Sequence, residues 1–159
     1  MPSHTTKVDH GALKANQILI ITLNLAAFVF NFWPIALLVA LVMAIGTALG
    51  KPGFLPVYRF FLKPLRLVTP SLVDDDPRSH RFAQGFGAVV MIAGSAALIQ
   101  GATIVGWSAV WVVILLAAVN VFAGFCAGCF VFYQLGRLGL PGFSGEPPAG
   151  TFPGMRPKE

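Results

Sequence analysis

The stretch "NQILIITLNLAAFVFNFWPIALLVALVMAIGTALG", residues 16–50, decides the fold class of this chain. It contains no Asp, Glu, Lys, Arg or His. A membrane-spanning helix needs about 20 mostly apolar residues, and the stretch lacks the period-2 alternation of a half-buried strand. Pro34 interrupts helical hydrogen bonding, and Trp33 beside it suits the headgroup level. The stretch therefore predicts two short membrane-spanning helices, about 16–33 and 34–50, joined almost without a loop.

The composition of the whole chain is that of an integral membrane protein. Of its 159 residues, 56% are hydrophobic and 11% are charged, and the mean hydropathy is +0.76. A soluble domain of this length has roughly a quarter of its residues charged. Two more apolar runs, about 82–101 and 107–133, are long enough to cross a bilayer as helices. The sequence predicts an all-α, four-helix bundle in the membrane, residues 16–137, made of two helical hairpins.

The charged residues indicate how this bundle is oriented. They all lie in the N-terminus (1–15), in the loop between the hairpins (51–81), or from Arg137 onward. With four spans these regions share one face, and the turns on the opposite face carry no charge. By the positive-inside rule we expect that face, and both termini, to be cytoplasmic. The net charge of +5 then favours contact with lipid headgroups, and nothing suggests nucleic-acid binding.

Residues 54–68, "FLPVYRFFLKPLRLV", predict a short amphipathic segment on the inner leaflet. Arg59, Lys63 and Arg66 recur at helical spacing among apolar side chains, with a kink expected at Pro64. Lipid contact is the favoured role, and a groove for a partner is the alternative. Arg78 and Arg137, near the ends of predicted spans, are further candidates for contact with the membrane surface.

The segment before the third span contains a helix-start signal. Asp76 is the expected N-cap of that helix and Pro77 its first residue, while Asp74 and Asp75 are either solvated or paired with neighbouring arginines. "DHGALKANQ", 9–17, weakly echoes "DPRSHRFAQ", 76–84. The echo suggests that the two hairpins are parallel copies.

The chain's two cysteines, Cys126 and Cys129, lie in the fourth apolar run. Cys126 is 19 residues past Trp107, about 28 Å along a helix, which places the pair near the cytoplasmic boundary. In a continuous helix their Cβ atoms would be about 5–6 Å apart, too far for a disulfide. The helix must therefore open for them to oxidise, which Gly124 and Gly128 make easier.

Electrostatics at this position oppose a reactive thiolate, because an apolar site near a helix C-terminus disfavours the anion. A cation would be needed close by, and His80, Arg81 and Arg137 are the candidates. Gln84 and Asn120 are the polar residues that we expect beside such a site. The plain alternative is that the cysteines are small packing residues.

The sequence contains few residues that could hold a metal ion or another cofactor. A metal needs more ligands than two thiols and a distant His80, so no metal is expected. No ionisable residue lies mid-membrane, which argues against a pump, a channel or a bis-histidine haem. No cofactor is predicted, although the apolar interior is compatible with a bound quinone or lipid.

"DPRSHRFAQ", a third span, and "GFCAGC" followed by an aromatic residue and "LGR" resemble a family of small bacterial membrane proteins described as a domain of unknown function. The resemblance implies a location in the bacterial inner membrane and an association with thioredoxin-like or rhodanese-like proteins. A looser likeness is to membrane thiol oxidoreductases of the disulfide-bond and vitamin K epoxide reductase type. This chain differs from those in having its pair on the predicted cytoplasmic side and no second pair. The family's motif residues fall here at Asp76, Pro77, Arg81, Phe82, Gln84, Gly124, Cys126, Gly128 and Cys129.

Two functions remain open on these grounds. The first is a thiol-redox or sulfur-transfer component in which Cys126 or Cys129 reacts with a thioredoxin-like or rhodanese-like protein. The second is a non-enzymatic accessory subunit of a larger membrane complex. The residues alone leave open whether the chain is an enzyme.

Overall fold

The computed structural model describes residues 6–65, 69–143, 145, 147 and 150–156, and within them the chain is mainly helical. In chain order the elements are β1 (Thr6–Asp9), α1 (His10–Val29), α2 (Trp33–Leu49), α3 (Leu55–Val57) continuing as a π-helical turn (Tyr58–Leu62), β2 (Leu72–Asp75), α4 (Pro77–Ile99), α5 (Thr103–Ala123) and α6 (Ala127–Arg137).

Three of these helices, α1, α4 and α5, are long and apolar enough to cross a membrane. Helix α2 is equally apolar but has 17 residues. Apolar side chains also cover the outside of these helices: Val89 on α4 is 66% exposed and Ile104 on α5 is 83% exposed. Such a surface suits lipid and not water. These observations confirm the expectation of a mainly helical chain with helices that are long and apolar enough to cross a membrane.

The long helices pack through small and branched side chains. Helix α1 contacts α2 and α5, and α4 contacts the same two helices. The buried core between them includes Ile20, Val39, Met91 and Val110. On α4, the position of a Cβ added to Gly94 would lie 2.8 Å from the Ala109 Cβ on α5. Glycine at this position therefore permits the close approach of α4 and α5.

A two-stranded antiparallel sheet joins the starts of α1 and α4. Strand β1 pairs with β2 from Thr6 opposite Asp75 to Asp9 opposite Leu72. The Asp9 carboxylate accepts hydrogen bonds from the first turn of α1, and the Asp76 carboxylate accepts one from Arg78 N on α4. The expected N-cap of α4 is confirmed. Each of the similar segments 9–17 and 76–84 thus begins with an aspartate cap at the end of a strand and continues as a helix.

The helix boundaries differ from those expected at both ends of the apolar runs. Helices α1 and α4 begin several residues before the expected spans, because their caps lie in the polar sequence ahead of each run. The expected span 107–133 is divided into α5 and α6. Gly124 has a φ of 66°, in the left-handed region that suits glycine, and terminates α5.

Among the described residues of the segment between α2 and β2, the helical ones are residues 55–62. Arg59 and Lys63 are exposed, whereas Arg66 lies outside the described residues. Tyr58 is buried against the start of α1 and donates a hydrogen bond to Asp9 Oδ2 at 3.1 Å. Burial, the hydrogen bond and the negative charge of Asp9 raise the pKa of Tyr58 to about 12. Tyr58 therefore attaches the segment to the start of α1, while Arg59 and Lys63 leave its other side exposed.

Replacing Gly94 by valine tests the α4–α5 packing. Because the added atoms have no room beside Ala109, we expect Gly94→Val to lower the free energy of unfolding by about 1–3 kcal/mol. The measurement is reversible unfolding in detergent, followed by circular dichroism. Val89→Leu, on the exposed side of the same helix, is the control and should unfold like the parent chain. Equal stability of all three proteins would contradict the close approach described above.

Candidate functional site

The two cysteines form a disulfide bond at the start of α6. The bond joins Cys126 and Cys129, with an S–S distance of 2.17 Å and Cα atoms 5.2 Å apart. Cys126 is the N-cap residue of α6, with an extended backbone (φ −97°, ψ 100°), so the pair does not lie inside a continuous helix. The break at Gly124 is the opening of the helix that oxidation was expected to require.

The N-terminus of α6 provides hydrogen-bond donors beside the sulfur atoms. The Cys129 N–H donates to Cys126 Sγ at 3.2 Å. Unpaired N–H groups and the positive end of the helix dipole stabilise negative charge at this position. The sequence placed the pair near a helix C-terminus, which would disfavour a thiolate, whereas the structure places it where a thiolate on Cys126 would be stabilised.

His80, on the first turn of α4, lies next to the disulfide. Its Nδ1 is 3.5 Å from Cys129 Sγ, and its Nε2 is 2.8 Å from Asp75 Oδ2. An ionised carboxylate only accepts hydrogen bonds, so Asp75 favours the tautomer with its proton on Nε2. The lone pair of Nδ1 then faces Cys129.

Asp75 is a buried carboxylate with several donors around it. Besides His80, it accepts a hydrogen bond from Asp76 N at 2.8 Å, and His10 Nε2 lies 3.1 Å from its Oδ2. Burial alone would raise the pKa of Asp75, but the contacts with His10 and His80, the charge of His80 and the Asp76 N–H together hold it below its ordinary range. Asp75 is therefore ionised at neutral pH and orients His80.

His10 completes this group from the start of α1. Its side chain is 4% exposed, and its ring lies edge-on to that of His80 with centroids 5.6 Å apart. Neither ring nitrogen makes a well-aligned hydrogen bond among the described residues. A small cavity is lined by both histidines, Asp75, both cysteines and Asn120, among others.

The C-terminal segment covers one side of the cysteine pair. Phe125 and Met155 form an antiparallel bridge, in which Cys126 N donates to Gly154 O at 2.7 Å and Arg156 N donates to Gly124 O at 2.8 Å. The sequence predicts flexibility throughout residues 138–159, and the structure gives residues 154–156 a defined backbone pairing with the chain around Cys126.

The other residues predicted from the sequence to lie near the thiols are at different distances from the disulfide. Asn120 lines the cavity, and its carbonyl lies 3.5 Å from Arg156 Nη2. Arg81 is exposed and donates to Thr47 O at 2.7 Å, so it binds the end of α2. Gln84 also binds this end of α2, donating to Met43 O at 3.0 Å. Arg137 is at the opposite end of α6.

Of the three cations considered for the thiols, His80 is the one in contact with them among the described residues. Arg78 forms an ion pair with Asp76 at 3.1 Å, whereas the arginine pairing was expected for Asp74 or Asp75. Asp75 binds the histidines instead. His10 was not predicted as a site residue, although each of the similar segments 9–17 and 76–84 contains a histidine.

Fold and site together define a helical protein of membrane type with a CxxC disulfide at a helix N-terminus, next to a carboxylate-bound histidine. Within that class, the chain belongs to the family described as Domain of unknown function (DUF4395), whose model matches residues 8–137. The resemblance to a family of unknown function is thereby confirmed. No curated protein and no solved structure matches the sequence.

Asp75→Asn tests the buried carboxylate. Because the pKa of Asp75 is lower in the folded chain than in the unfolded chain, its ionised form stabilises the fold above about pH 4. This contribution is lost as the pH falls toward the folded-state pKa. We expect the variant to lose about 1–3 kcal/mol near neutral pH and to approach the parent chain below about pH 4. Unfolding across pH measures this, with exposed Asp74→Asn as the control. A stability difference that is the same at all pH values would be inconsistent with this assignment.

Gly154→Val tests the cover over the disulfide. A Cβ at Gly154 would meet Cys126 O and Phe130 Cβ, both at 2.9 Å, whereas a Cβ at Gly150 meets nothing within 4 Å. Both glycines have positive φ, so Gly150→Val carries similar backbone strain without the collision. We expect a small phosphine to reduce the disulfide several-fold faster in Gly154→Val than in Gly150→Val. Identical rates in the two variants would mean that the C-terminal segment does not limit access.

Proposed function

We propose that this chain is a membrane-bound thiol–disulfide exchange protein whose working pair is Cys126 and Cys129. The observation that carries the proposal is the disulfide on the first turn of α6, beside an imidazole held by a buried carboxylate. Backbone donors at a helix start stabilise a thiolate, and the histidine can move a proton to or from the second thiol.

The first step of reduction breaks the Cys126–Cys129 bond. A thiolate of the partner attacks Cys126 Sγ, and a mixed disulfide forms between the partner and Cys126 while Cys129 leaves as a thiolate. His80 Nδ1, 3.5 Å from Cys129 Sγ, can deliver a proton to that sulfur when the ring is protonated.

The second step releases the partner. Its second thiolate attacks its own sulfur in the mixed disulfide, and Cys126 leaves as a thiolate stabilised by the Cys129 N–H. The partner ends as a disulfide, and this chain ends as a dithiol with two more electrons. The reverse sequence oxidises the chain, with neutral His80 accepting the proton from Cys129. The same Cys126 thiolate could accept sulfane sulfur from a rhodanese-like persulfide, which needs only one thiol.

The proposed setting is the inner membrane of a bacterium, with four spans in two hairpins. The end that contains the cysteines, the histidines and the charged residues faces the cytoplasm, as the charge distribution indicates. A water-soluble thioredoxin-like or rhodanese-like protein is then the reaction partner. The exposed Arg59 and Lys63 contact the headgroups, together with Arg78 and Arg137. A quinone or lipid could enter the mainly apolar cavity between α1, α4 and α5, which reaches Cys126.

The accessory-subunit alternative also has an observation in its favour. Cys126 and Cys129 are 9% and 3% exposed, and both pack in a cluster with Phe132, Tyr133 and Phe82. Buried cysteines of this kind can act as small apolar residues within a larger complex. In that case the chain would purify in mild detergent with a stoichiometric membrane partner, and its thiols would be inert.

Single cysteine variants separate the two proposals. Cys129→Ser keeps the attacking thiol and lacks the resolving one, so it should accumulate a mixed disulfide with a thioredoxin-like protein. Cys126→Ser should trap far less, because its remaining thiol is 3% exposed. Non-reducing gels and mass spectrometry measure the adduct, with the double serine variant as the blank.

Two results would count against exchange. One is a parent chain whose disulfide is reduced by dithiothreitol but not by the thioredoxin-like protein. The other is a double serine variant that retains full function in cells under thiol stress. Either result would favour the packing role.

A further inference from the structure

We propose that reduction of the disulfide converts this site into a binding site for a borderline divalent metal ion such as Zn²⁺, held by Cys126, Cys129 and His80. The inference rests on the proposed function only in requiring that the disulfide can be reduced. The sequence predicted no metal because His80 is 46 residues from Cys126 along the chain, whereas the fold brings it into contact with Cys129.

One pair of ligand atoms already has the spacing that such a site needs. Each of the three residues offers one ligand atom, and these atoms all lie within 4.8 Å of one another. Zinc binds sulfur at about 2.3 Å and imidazole nitrogen at about 2.0–2.1 Å with tetrahedral angles, so neighbouring ligands are about 3.5–3.8 Å apart. The distance of 3.5 Å between Cys129 Sγ and His80 Nδ1 fits this range.

The third distance, between the two sulfur atoms, opens when the disulfide is cut. A dithiol reductant gives two electrons to the S–S bond, becomes a disulfide itself, and leaves two thiols on this chain. The ion then replaces the two thiol protons, which are released to solvent. Cys126 is the N-cap residue and precedes the regular part of α6, so its side chain can turn without unwinding the helix.

Asp75 is an independent observation that points to a metal ligand. A histidine bound to a metal usually donates its other ring N–H to a carboxylate, which fixes the tautomer and raises the basicity of the ligand nitrogen. His80 has this arrangement already, with Nε2 on Asp75 and Nδ1 facing the cysteine. The buried, ionised carboxylate also offsets part of the positive charge of the ion.

Three protein ligands leave the fourth tetrahedral position open. All three proposed ligands line the cavity beside the cysteines, so water or a thiolate of a partner can reach the ion from there. Closed structural zinc sites have four protein ligands, whereas sites that exchange a ligand keep one position free. The proposed site is therefore of the exchangeable kind, and the C-terminal segment at Gly154 and Met155 lies along the same cavity.

Cobalt binding provides a spectroscopic test. The full-length chain in detergent is reduced, freed of reductant under nitrogen and titrated with Co²⁺. We expect one equivalent to give thiolate-to-cobalt bands in the near ultraviolet and tetrahedral bands in the visible, which Zn²⁺ then bleaches. The oxidised chain should give neither. His80→Gln should lose the tetrahedral bands, and His4→Gln, the same change at another histidine, should keep them.

Asp75→Asn retains all three ligands and should weaken Co²⁺ binding by about 10–100-fold. The circular dichroism spectrum of each oxidised variant shows whether the variant folds. If His80→Gln does not fold, the effect of Asp75→Asn on Co²⁺ affinity tests the proposal in its place. Absence of stoichiometric thiolate bands in the reduced parent chain would overturn the proposal, as would bands and affinity unchanged in both His80→Gln and Asp75→Asn. Exchange with a thioredoxin-like protein, measured separately, could still succeed in that case. Conversely, if the chain binds cobalt but does not exchange disulfides with a thioredoxin-like protein, only the proposed function is contradicted.

Discussion

The buried carboxylate of Asp75 is the interaction on which the rest of the charged end depends. An ionised carboxylate removed from water is unfavourable unless polar groups surround it. Here those groups come from different parts of the chain: His80 on α4 and the Asp76 N–H make hydrogen bonds to it, and the His10 ring on α1 lies 3.1 Å away. The contact therefore joins the starts of two long helices and fixes the plane of the His80 ring. Because that ring contacts Cys129, one buried charge connects helix packing to the chemistry of the sulfur atoms.

The surrounding architecture explains why these groups can meet. The four apolar helices form a rigid support, while the short strands, the caps and the helix break provide the polar groups, a division common to sites held at the end of a scaffold. Pairing of β1 with β2 aligns the starts of α1 and α4, so that His10 and His80 approach the same carboxylate. After the break at Gly124, α6 packs against the first half of α4, where Gly128 leaves room for Ala83. Without that small residue the cysteines would be pushed away from His80.

Much of the fold could be predicted from the sequence, because each apolar run exceeds or approaches the thickness of a bilayer and the signals at Pro34 and Asp76 are local. The division between α5 and α6 could not be predicted, since the residues around Gly124 are apolar on both sides and a single glycine is tolerated within a helix. For the site, the cysteine spacing identified the pair. The need for a nearby cation predicted His80, Arg81 or Arg137 as its neighbour, and the sequence could not decide which of the three it is. The choice depends on which face of α4 meets α6, which is a tertiary property. The role of His10 and the pairing of residues 154–156 likewise depend on contacts between distant parts of the chain.

The position of the helix break also decides what chemistry is available. If α5 continued through residue 124, both sulfur atoms would lie near the end of a long apolar helix, where carbonyl groups disfavour an anion. Ending α5 before Gly124 and capping α6 with Cys126 changes this, because Cys126 Sγ now accepts a hydrogen bond from the Cys129 N–H at the start of α6. A thiolate stabilised in this way can attack a disulfide or bind a metal, but a sulfur atom bound to an ion is a poorer nucleophile until the ion leaves. Exchange and metal binding would therefore compete for one pair of atoms, and the compartment's reductant and free metal would decide which state prevails.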